Sequence, residues 1–468
     1  MAVNNANQIY QINSARWTMM NDVCDGSRAV KQKTTLYLPV DCDCNDDAGR
    51  HVYNAYLRRS VFYPVTKEML QDNVGLAFSE DPNFEPDGLD FLKDDADGAG
   101  TSIYQLNQKA LALLLKHGRG GFFVDYPTTE GGTTKAELLA NNIRPTIVLY
   151  DALQIINWRV KKIGGVFKNS LIVLLEKTMQ KDPQDEFMEV EVTTYRVLRL
   201  DDENRYSVQT YTDATETGNL VPSEVVYPLN AKGKTWDYIP FIPIGSQTND
   251  FNIDEIPLEG LAEINLAHYR NSAEYENSVH ICGQVQPTVG ELSEEWREFL
   301  VKEGIKLGSN TPLLLPTGSK FEYVSAKIEM LAQEAMKDKM DYMSALGAKV
   351  IEKSSSIKTA TQVDSEDAKQ YSVLSLCVSN LNEASEYTLK WCAEYYGSGF
   401  DASFSIKQDF ATGELSLEDL KFYQSEVVRG AMSNQTFHEI KSTGKVPEIP
   451  YKEEQLRIES ERNGVTLV

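Results

Sequence analysis

The amino-acid sequence predicts an α+β fold, and three observations lead to this prediction. The first 120 residues have mostly helical patterns, residues 145–212 are rich in β-forming runs, and long helical segments follow Pro257. The β-rich runs lie next to one another along the chain and are joined by short turns, which favours an antiparallel meander.

The clearest helix is the stretch "GTSIYQLNQKALALLLKHGRGG". Ser102 can cap the first turn, with Gln105 three residues later as in a capping box. Gly118 supplies a residue that tolerates the left-handed conformation at a helix end. Apolar residues recur on one face, as expected for a helix packed on a core: Ile103, Leu106, Ala110, Leu113 and Leu114. The following "GFFVDYP" predicts a short strand that runs into a turn.

The β-rich region contains the runs "SLIVLLEKTM", "VEVTTYRVLRLDD" and "RYSVQTYT". The stretch "DDEN" at 201–204 predicts a turn between the last two runs. The Pro-rich "WDYIPFIPIGSQTNDFN" predicts an extended connector.

A long helix is expected after Pro257, and residues 284–325 combine short strands with a short helix around "SEEWREFL". A second long helix covers "IEMLAQEAMKDKMDYMSALGAKVIEK", which "SSSIKTATQ" interrupts. A further helix is expected over roughly 361–396, and two short tail helices are capped near Ser416 and Ser433.

The composition is that of an acidic protein with enough apolar residues for a large core. The 468 residues carry a net charge of -23, and 41% of them are hydrophobic. No long basic run marks a surface for tight nucleic-acid binding. One explanation for such acidity is ordinary solubility. A second explanation is that nucleic acid passes close to the protein and must not bind tightly to it. The absence of a signal-like N-terminus or a long apolar run indicates synthesis in a cytoplasm and no membrane partner.

The cysteines are scattered, which favours buried free thiols over a disulfide framework. They are Cys24, Cys42, Cys44, Cys282, Cys377 and Cys392.

Two of the five histidines flank the stretch "HYRNSAEYENSVH". On one helix, His268 and His280 would be roughly 18 Å apart along the axis and about 120° apart around it. They cannot share a metal ion, so structural roles are expected for both. The same helix is polar on several sides, which suits packing against copies of itself or lining a wet channel. Its polar residues are Asn265, Asn271, Ser272, Glu274, Asn277 and Ser278.

Four other motifs resemble parts of known metal, phosphate or nucleotide sites, and none of them is complete. "DCDCNDD" at 41–47 lacks a second ligand pair for zinc, and "KDDADGAG" fails the EF-hand pattern at both ends. "AKGKTW" has no first glycine for a phosphate-binding loop, and "GRGG" predicts a helix stop. We therefore expect no cofactor, no metal and no catalytic residues. The alternative is a soluble, acidic, metal-dependent enzyme of unknown substrate that uses Cys42, Cys44 and nearby aspartates.

Several stretches, in order, resemble one family. "LLKHGRGGFFVDYP", "RPTIVLYDALQIINWRV", "YRVLRLDD" and "IPFIPIG" are similar to consecutive segments of tailed-bacteriophage portal proteins of the short portal type. "YLRRSVFYPVTKEMLQDNVGLAF" and "PLEGLAEINLAHYRNSAEYENSVHICGQVQP" extend the resemblance to about residues 10–400. The tail resembles the helical C-terminal ends of many portals more weakly.

The resemblance implies a portal protein, the head-tail connector of a bacteriophage. Such chains form a ring, usually a homododecamer, at one capsid vertex of the virion. Double-stranded DNA passes non-specifically through the axial DNA channel during viral genome packaging and viral genome ejection. Implied partners are further copies of the chain, the capsid protein, terminase and head-tail adaptor proteins, and the ring itself is not an enzyme.

The resemblance also implies a domain order of wing, stem helix, clip, stem helix, tunnel loop, wing helix and crown. The expected segments are the N-terminal wing at 1–256, the stem helix at 257–283, the clip at 284–325, the second stem helix at 326–352, the tunnel loop at 353–360, the wing helix and strand at 361–412, and the C-terminal crown at 413–468.

Two groups of residues become candidates for binding. The clip carries exposed acids for partner docking: Glu291, Glu294, Glu295 and Glu298. The tunnel loop and its approach carry candidates for touching passing phosphates: Lys349, Lys353, Ser354, Ser355, Ser356 and Lys358. A solvated linker between helices is the alternative for this loop.

Overall fold

The structure is a computed structural model. It describes residues 3–40, 46–127, 143–182, 185–213, 220–284, 286–291, 293–303, 317–324, 330–351, 372–397, 400–408, 417–443, 447 and 449–462. The chain divides into two compact units, Met1–Lys407 and Gln408–Val468. The first unit combines helices with several antiparallel sheets, so the predicted α+β class is confirmed.

The N-terminal part is helical, as the sequence predicts. Its helices are α1 Gln8–Asp25, α2 Ser27–Gln32, α3 Asp47–Arg59, α4 Val65–Ala77 and α5 Ile103–His117. The hydroxyl of Ser102 accepts a hydrogen bond from the Gln105 backbone N–H (3.2 Å) at the start of α5. Gly118 ends the helix with φ +66°, the left-handed conformation expected of a glycine cap.

A three-stranded antiparallel sheet forms the centre of the first unit. Its strands are β2 Arg119–Asp125, β3 Thr146–Asp151 and β9 Phe241–Gly245, in the order β3-β2-β9. The prediction of an extended connector at "IPFIPIG" is therefore wrong, because every residue of β9 is buried and the strand pairs with β2. Pro243 is tolerated because β9 is an edge strand of this sheet.

A five-stranded meander confirms the predicted β region. Its strands are β4 Ile155–Ile163, β5 Val166–Lys181, β6 Glu189–Leu200, β7 Tyr206–Asp213 and β8 Leu220–Pro222. The turn between β6 and β7 lies at 201–204, as predicted, and Asn204 takes a positive φ of 59° there. One face of the sheet is closed by Ile156, Val173 and Val197, against which Val3 and Tyr10 pack.

After Pro257 the chain forms two long helices separated by a small β–α–β segment. The elements are α6 Glu259–Cys282, β10 Gln286–Gly290, α7 Glu294–Glu303, β11 Lys320–Val324 and α8 Leu331–Ile351. β10 and β11 pair antiparallel, with Gln286 opposite Val324. The predicted positions of both long helices and of the short strands are confirmed.

A third long helix, α9 (Val373–Tyr396), crosses the core of the first unit. Its start is capped by Ser372, whose hydroxyl accepts from the Ser375 backbone N–H (3.1 Å). The expected helix start near 361 lies outside the described residues. Beyond α9, strand β12 (Ser403–Ser405) pairs with β1 (Asn83–Glu85).

The second unit consists of helices in its described part: α10 Leu417–Arg429, α11 Asn434–Thr443 and α12 Tyr451–Arg462. The predicted cap at Ser433 is present, since its hydroxyl accepts from the Thr436 backbone N–H (3.0 Å). The prediction of two tail helices is wrong, because α12 is a third helix. It packs on α11, and the Glu461 carboxylate accepts hydrogen bonds from the backbone N–H groups of Asn434 and Gln435.

Three of the cysteines are buried free thiols, as predicted: Cys24, Cys377 and Cys392. Burial raises the pKa of the Cys24 thiol to about 11 and that of Cys377 to about 12. These thiols are therefore poor nucleophiles near neutral pH. Cys42 and Cys44 lie outside the described residues.

Candidate functional site

The most distinctive feature of the first unit is the pair of long helices α6 and α8. They pack side by side. Because β10 and β11 bring the end of α6 close to the start of α8, the two helices run antiparallel. We call α6, α8 and the intervening β10–α7–β11 segment the hairpin, and we call β10–α7–β11 the tip.

The root of the hairpin is locked into the core of its own chain by a buried amide. Asn265 is fully buried, and its Oδ1 accepts from the backbone N–H (3.2 Å) and the hydroxyl (3.0 Å) of Thr66. Its Nδ2 donates to the carbonyl oxygen of Tyr63 (2.9 Å). We call Asn265, Thr66 and Tyr63 the root clamp. Polar groups on this part of α6 therefore serve contacts within the chain, and the interpretation of Asn265 as a channel or intersubunit residue is wrong.

Further along α6, polar side chains attach α3 to the hairpin. The Tyr56 hydroxyl donates to Glu274 (2.6 Å), and Arg59 donates to the Asn277 amide oxygen (2.9 Å). Burial and then the bond to Glu274 raise the pKa of Tyr56. An open cleft of about 340 Å³ lies between α3 and α6, with Val52 at its rim. Glu274 and Asn277 therefore also have partners within the chain.

Burial falls away steadily towards the tip. On α6 the buried residues end at Ala273, and Ile281 is 56% exposed. On α8 the pattern is reversed, because Met343 and Val350 are buried whereas Leu331 is 70% exposed. One end of the hairpin is thus anchored, and the other presents apolar side chains that the described part of the chain leaves uncovered.

The tip carries the four glutamates predicted for docking. Glu291 lies at the end of β10 with φ +57° and pairs with Lys320 across the strands (2.7 Å). Glu294, Glu295 and Glu298 are exposed on α7. The structure thus brings three acids together on one helix, whereas the charge of Glu291 already has a partner.

Helix α7 also presents apolar surface beside these acids. Trp296 contacts Phe299 edge-on, with ring centroids 5.4 Å apart. Phe299 is 52% exposed and Val301 is 81% exposed. Apolar side chains therefore lie exposed beside the acids of α7.

The predicted channel residues fall almost entirely outside the described part of the chain. Lys349 belongs to the last turns of α8. Lys353, Ser354, Ser355, Ser356 and Lys358 lie in the stretch 352–371, outside the described residues. Their contact with DNA stays a prediction.

The two histidines of α6 have separate surroundings, as predicted. His268 is buried edge-on against Tyr63, with centroids 5.1 Å apart. Burial, and then the charge of Lys339, lowers the pKa of His268. His280 is exposed and bonds to Gln284 (3.2 Å). Among the described residues, no group of three or more His, Cys, Asp or Glu side chains is arranged to hold a metal ion.

The loop "KDDADGAG" uses its own aspartates to hold its backbone. Asp95 accepts from the backbone N–H groups of Gly98 (2.7 Å) and Gly100 (2.9 Å). Asp97 accepts from Ala99 and Thr101. Burial acts to raise the pKa of Asp97, but these hydrogen bonds outweigh it and hold that pKa below its usual value. The loop is therefore held together by hydrogen bonds from its own backbone to Asp95 and Asp97.

The burial of Arg119 at the start of β2 was not predicted from the sequence. "GRGG" predicts only a helix stop, yet Arg119 is 1% exposed and its guanidinium lies 3.9 Å from the ring centroid of Trp158. Burial lowers the pKa of Arg119 to about 9, and Asp250 and Asp254 oppose that shift. The quoted "GRGG" and "INWR" stretches hold both partners, but spacing alone does not reveal that they meet.

A second arginine holds the two sheets together. Arg196 of β6 bonds Glu176 (2.7 Å) in its own sheet and Asp125 (2.6 Å) at the end of β2. Burial opposes the charged form, but these carboxylates outweigh it and raise the pKa of Arg196. This ion network fixes the body from which the hairpin extends.

No helix within the described ranges is both long and apolar enough to cross a membrane. The family described as "Domain of unknown function (DUF4055)" matches residues 257–396. No curated protein matches the chain. The matched family segment contains the hairpin and α9.

Three solved structures are similar to the chain at a TM-score of 0.38 each. One is described as the virion of a native gene transfer agent particle, with 13% identity over 89% of this chain and 94% of that chain. The other two are the neck of the empty particle computed with C6 symmetry and the neck of the native particle computed with C12 symmetry. Each of these has 12% identity over 88% of this chain and 93% of that chain.

Proposed function

We propose that the chain is a subunit of a phage portal, a ring at one capsid vertex through which double-stranded DNA is packaged and ejected. The observation that carries the proposal is the hairpin. Two long antiparallel helices end in a small β–α–β tip, in the chain order that the sequence resemblance implies for stem, clip and stem.

The distribution of burial supports a ring of many copies. The hairpin is anchored at its root, and its outer end exposes Ile281, Leu331, Phe299 and Val301. Burying such side chains stabilises an assembly by roughly 25 cal/mol per Å² of apolar surface. Head-to-tail contacts between identical chains that close on themselves produce a ring.

The charge of the chain suits a DNA conduit. Lysine and arginine contacts to phosphates dominate affinity for DNA, and the net charge here is -23. A mostly acidic wall with few basic points keeps a polyanion from adhering while it slides. We assign those basic points to Lys349, Lys353 and Lys358, assisted by the serines at 354–356.

The tip is proposed as the surface on which terminase and later the head-tail adaptor proteins dock. Acids at 294, 295 and 298 surround the exposed aromatic and apolar side chains of α7. This combination gives a partner both buried contact area and charge selectivity. We also propose that the ring has no enzymatic activity of its own, that the capsid protein surrounds it, and that it resides in the virion.

Native mass spectrometry of the purified chain tests the proposal. We expect one closed oligomer near twelve times the chain mass of 52.6 kDa, with no ATP hydrolysis above buffer. The same oligomer carrying Glu294→Lys and Glu298→Lys should stay assembled and bind terminase more weakly. A stable monomer or dimer at micromolar concentration, or sustained ATP turnover, would overturn the proposal.

A further inference from the structure

Two strands of the five-stranded sheet extend beyond their neighbours. β5 and β6 stay paired to the end of β5, whereas β4 pairs with β5 only as far as Leu174 and β7 pairs with β6 only as far as Thr194. We call residues 177–181 and 189–193 the ribbon. It extends about 16 Å past the flanking strands. Because a two-stranded ribbon alone is only marginally stable in water, contact with another surface would stabilise it.

The end of the ribbon presents a large apolar side chain on a hydrogen-bonded turn. The backbone N–H of Met188 donates to the Asp185 carbonyl oxygen (3.2 Å), and the backbone N–H of Phe187 donates to Asp185 Oδ1 (3.0 Å). Phe187 is 90% exposed, and Met188 is 56% exposed. Glu186 is also exposed. We call residues 185–188 the knob, which combines an exposed aromatic ring with carboxylates.

The cleft between α3 and α6 has apolar walls that suit such a ring. Those walls include Pro39, Val40, Val52 and Tyr53. The volume of the cleft is about 340 Å³, and a cavity of about 150 Å³ is large enough to hold a benzene molecule. The cleft therefore has room for the ring of Phe187 and for part of a neighbouring side chain.

The lining of the cleft also contains a charged donor for a carboxylate. Arg59 lines the cleft and is partly exposed. A guanidinium has five N–H donors, and the bond to Asn277 uses one of those of Arg59. Glu274, an acid in the same lining, accepts from the Tyr56 hydroxyl. The cleft thus offers apolar walls and a guanidinium, and the knob offers an apolar ring and a carboxylate at Glu186.

Resting on the proposed function, we propose that the knob of one subunit inserts Phe187 into the α3–α6 cleft of the next subunit. Within one chain the cleft is open and Phe187 is exposed, so both surfaces are available to a second copy. The knob and the cleft are different surfaces of the same chain, so their contact is head-to-tail, as a closed ring requires. Each subunit then uses its knob on one neighbour and its cleft on the other.

Matched substitutions in the full chain test whether the knob contributes to assembly. Phe187→Ser should raise the concentration needed for ring formation at least about tenfold, because its apolar ring no longer leaves water at each interface. Phe167→Ser is the control, since Phe167 is 72% exposed at the start of β5 in the same sheet. The control should form rings like the parent. Size-exclusion chromatography with light scattering reads the assembly, and circular dichroism verifies folding.

A pair of cysteines identifies the receiving surface. Chains with Phe187→Cys and chains with Val52→Cys are co-expressed, purified at about tenfold higher concentration than the parent needs for rings, and mildly oxidised. We expect a covalent dimer on a non-reducing gel, because Val52 belongs to the cleft wall. Co-expression of Phe187→Cys with Ile12→Cys is the control, since Ile12 is 68% exposed on α1, and it should give little covalent dimer.

Normal rings of Phe187→Ser at the parent's concentration would overturn the inference, and so would equal cross-linking of position 187 to positions 52 and 12. If Phe187→Ser formed normal rings but bound the capsid protein more weakly, the knob would be a capsid contact and the inference would be wrong. A parent chain that stays monomeric would instead contradict the proposed function, on which the inference rests.

Discussion

The root clamp gives a sharp test of how the hairpin is fixed to the body. Asn265 is fully buried and makes hydrogen bonds to Thr66 and to the Tyr63 carbonyl. Replacing Asn265 with alanine removes all three bonds at once. The backbone N–H of Thr66 then loses its partner, whereas the carbonyl of Tyr63 keeps the hydrogen bond from the Val65 backbone N–H (2.9 Å).

The loss in the free energy of unfolding expected for Asn265→Ala follows from these contacts. Each hydrogen bond contributes about 1 kcal/mol net, and a buried polar group without a partner costs about 1–3 kcal/mol. We expect Asn265→Ala to lower the free energy of unfolding by about 3 kcal/mol. Asn277→Ala on the same helix is the control, because its amide oxygen accepts one bond, from Arg59, at a partly exposed position. The control should lose less than about 1 kcal/mol.

Urea unfolding at a fixed chain concentration measures both variants, since assembly into the proposed ring would make apparent stability depend on concentration. A double-mutant cycle with Thr66→Val should give a coupling energy of about 1–2 kcal/mol between positions 66 and 265. Equal losses for Asn265→Ala and Asn277→Ala, or a coupling energy near zero, would refute the clamp.

Two other predictions concern the body. Gly121→Ala should lower the free energy of unfolding by about 1–3 kcal/mol, because a Cβ there would lie 2.3 Å from Phe241 Cζ. Gly75→Ala, with open space around its Cβ position in α4, should raise the free energy of unfolding by about 0.5–1 kcal/mol. A urea midpoint that rises for Gly121→Ala, or one that falls for Gly75→Ala, would contradict the corresponding prediction. Burial, and then Lys116, lowers the pKa of His117 to about 3, so unfolding exposes a group that takes up a proton below about 6.5. The stability that the folded state gains from the lowered pKa of His117 is therefore present above pH 6.5. It is lost as the pH falls towards 3, by about 1.4 kcal/mol per pH unit. His117→Gln should flatten stability against pH between 6 and 4, and identical slopes would show that His117 does not titrate in this way.

Much of the secondary structure follows from local patterns. Ser102 and Gly118 bound α5 as their capping chemistry dictates, and the turn at 201–204 separates two strands of β-forming residues. The error at "IPFIPIG" has a physical cause. Two prolines suggest a connector, but an edge strand tolerates them, and pairing with β2 is a long-range contact that no local pattern contains.

The contacts of the candidate site were harder to predict from the sequence. The polar residues of α6 indicate a wet or shared surface, yet Asn265 and Ser272 are fully buried in the chain's own core. Composition cannot distinguish a polar group that waits for another subunit from one already bonded within the chain. The same limit applies to Arg119, whose aromatic partner Trp158 is distant in sequence. By contrast, the exposure of Glu294, Glu295 and Glu298 could be predicted, because charged side chains are rarely buried and three of them lie close together on one short helix.

Electron microscopy of the purified assembly tests the central claim most directly. We expect a closed ring of about twelve copies with an open axial channel, in which each hairpin packs between two neighbours and the tips form one rim. Particles without an axial channel, or a ring in which the hairpins make no contact with neighbouring subunits, would contradict it.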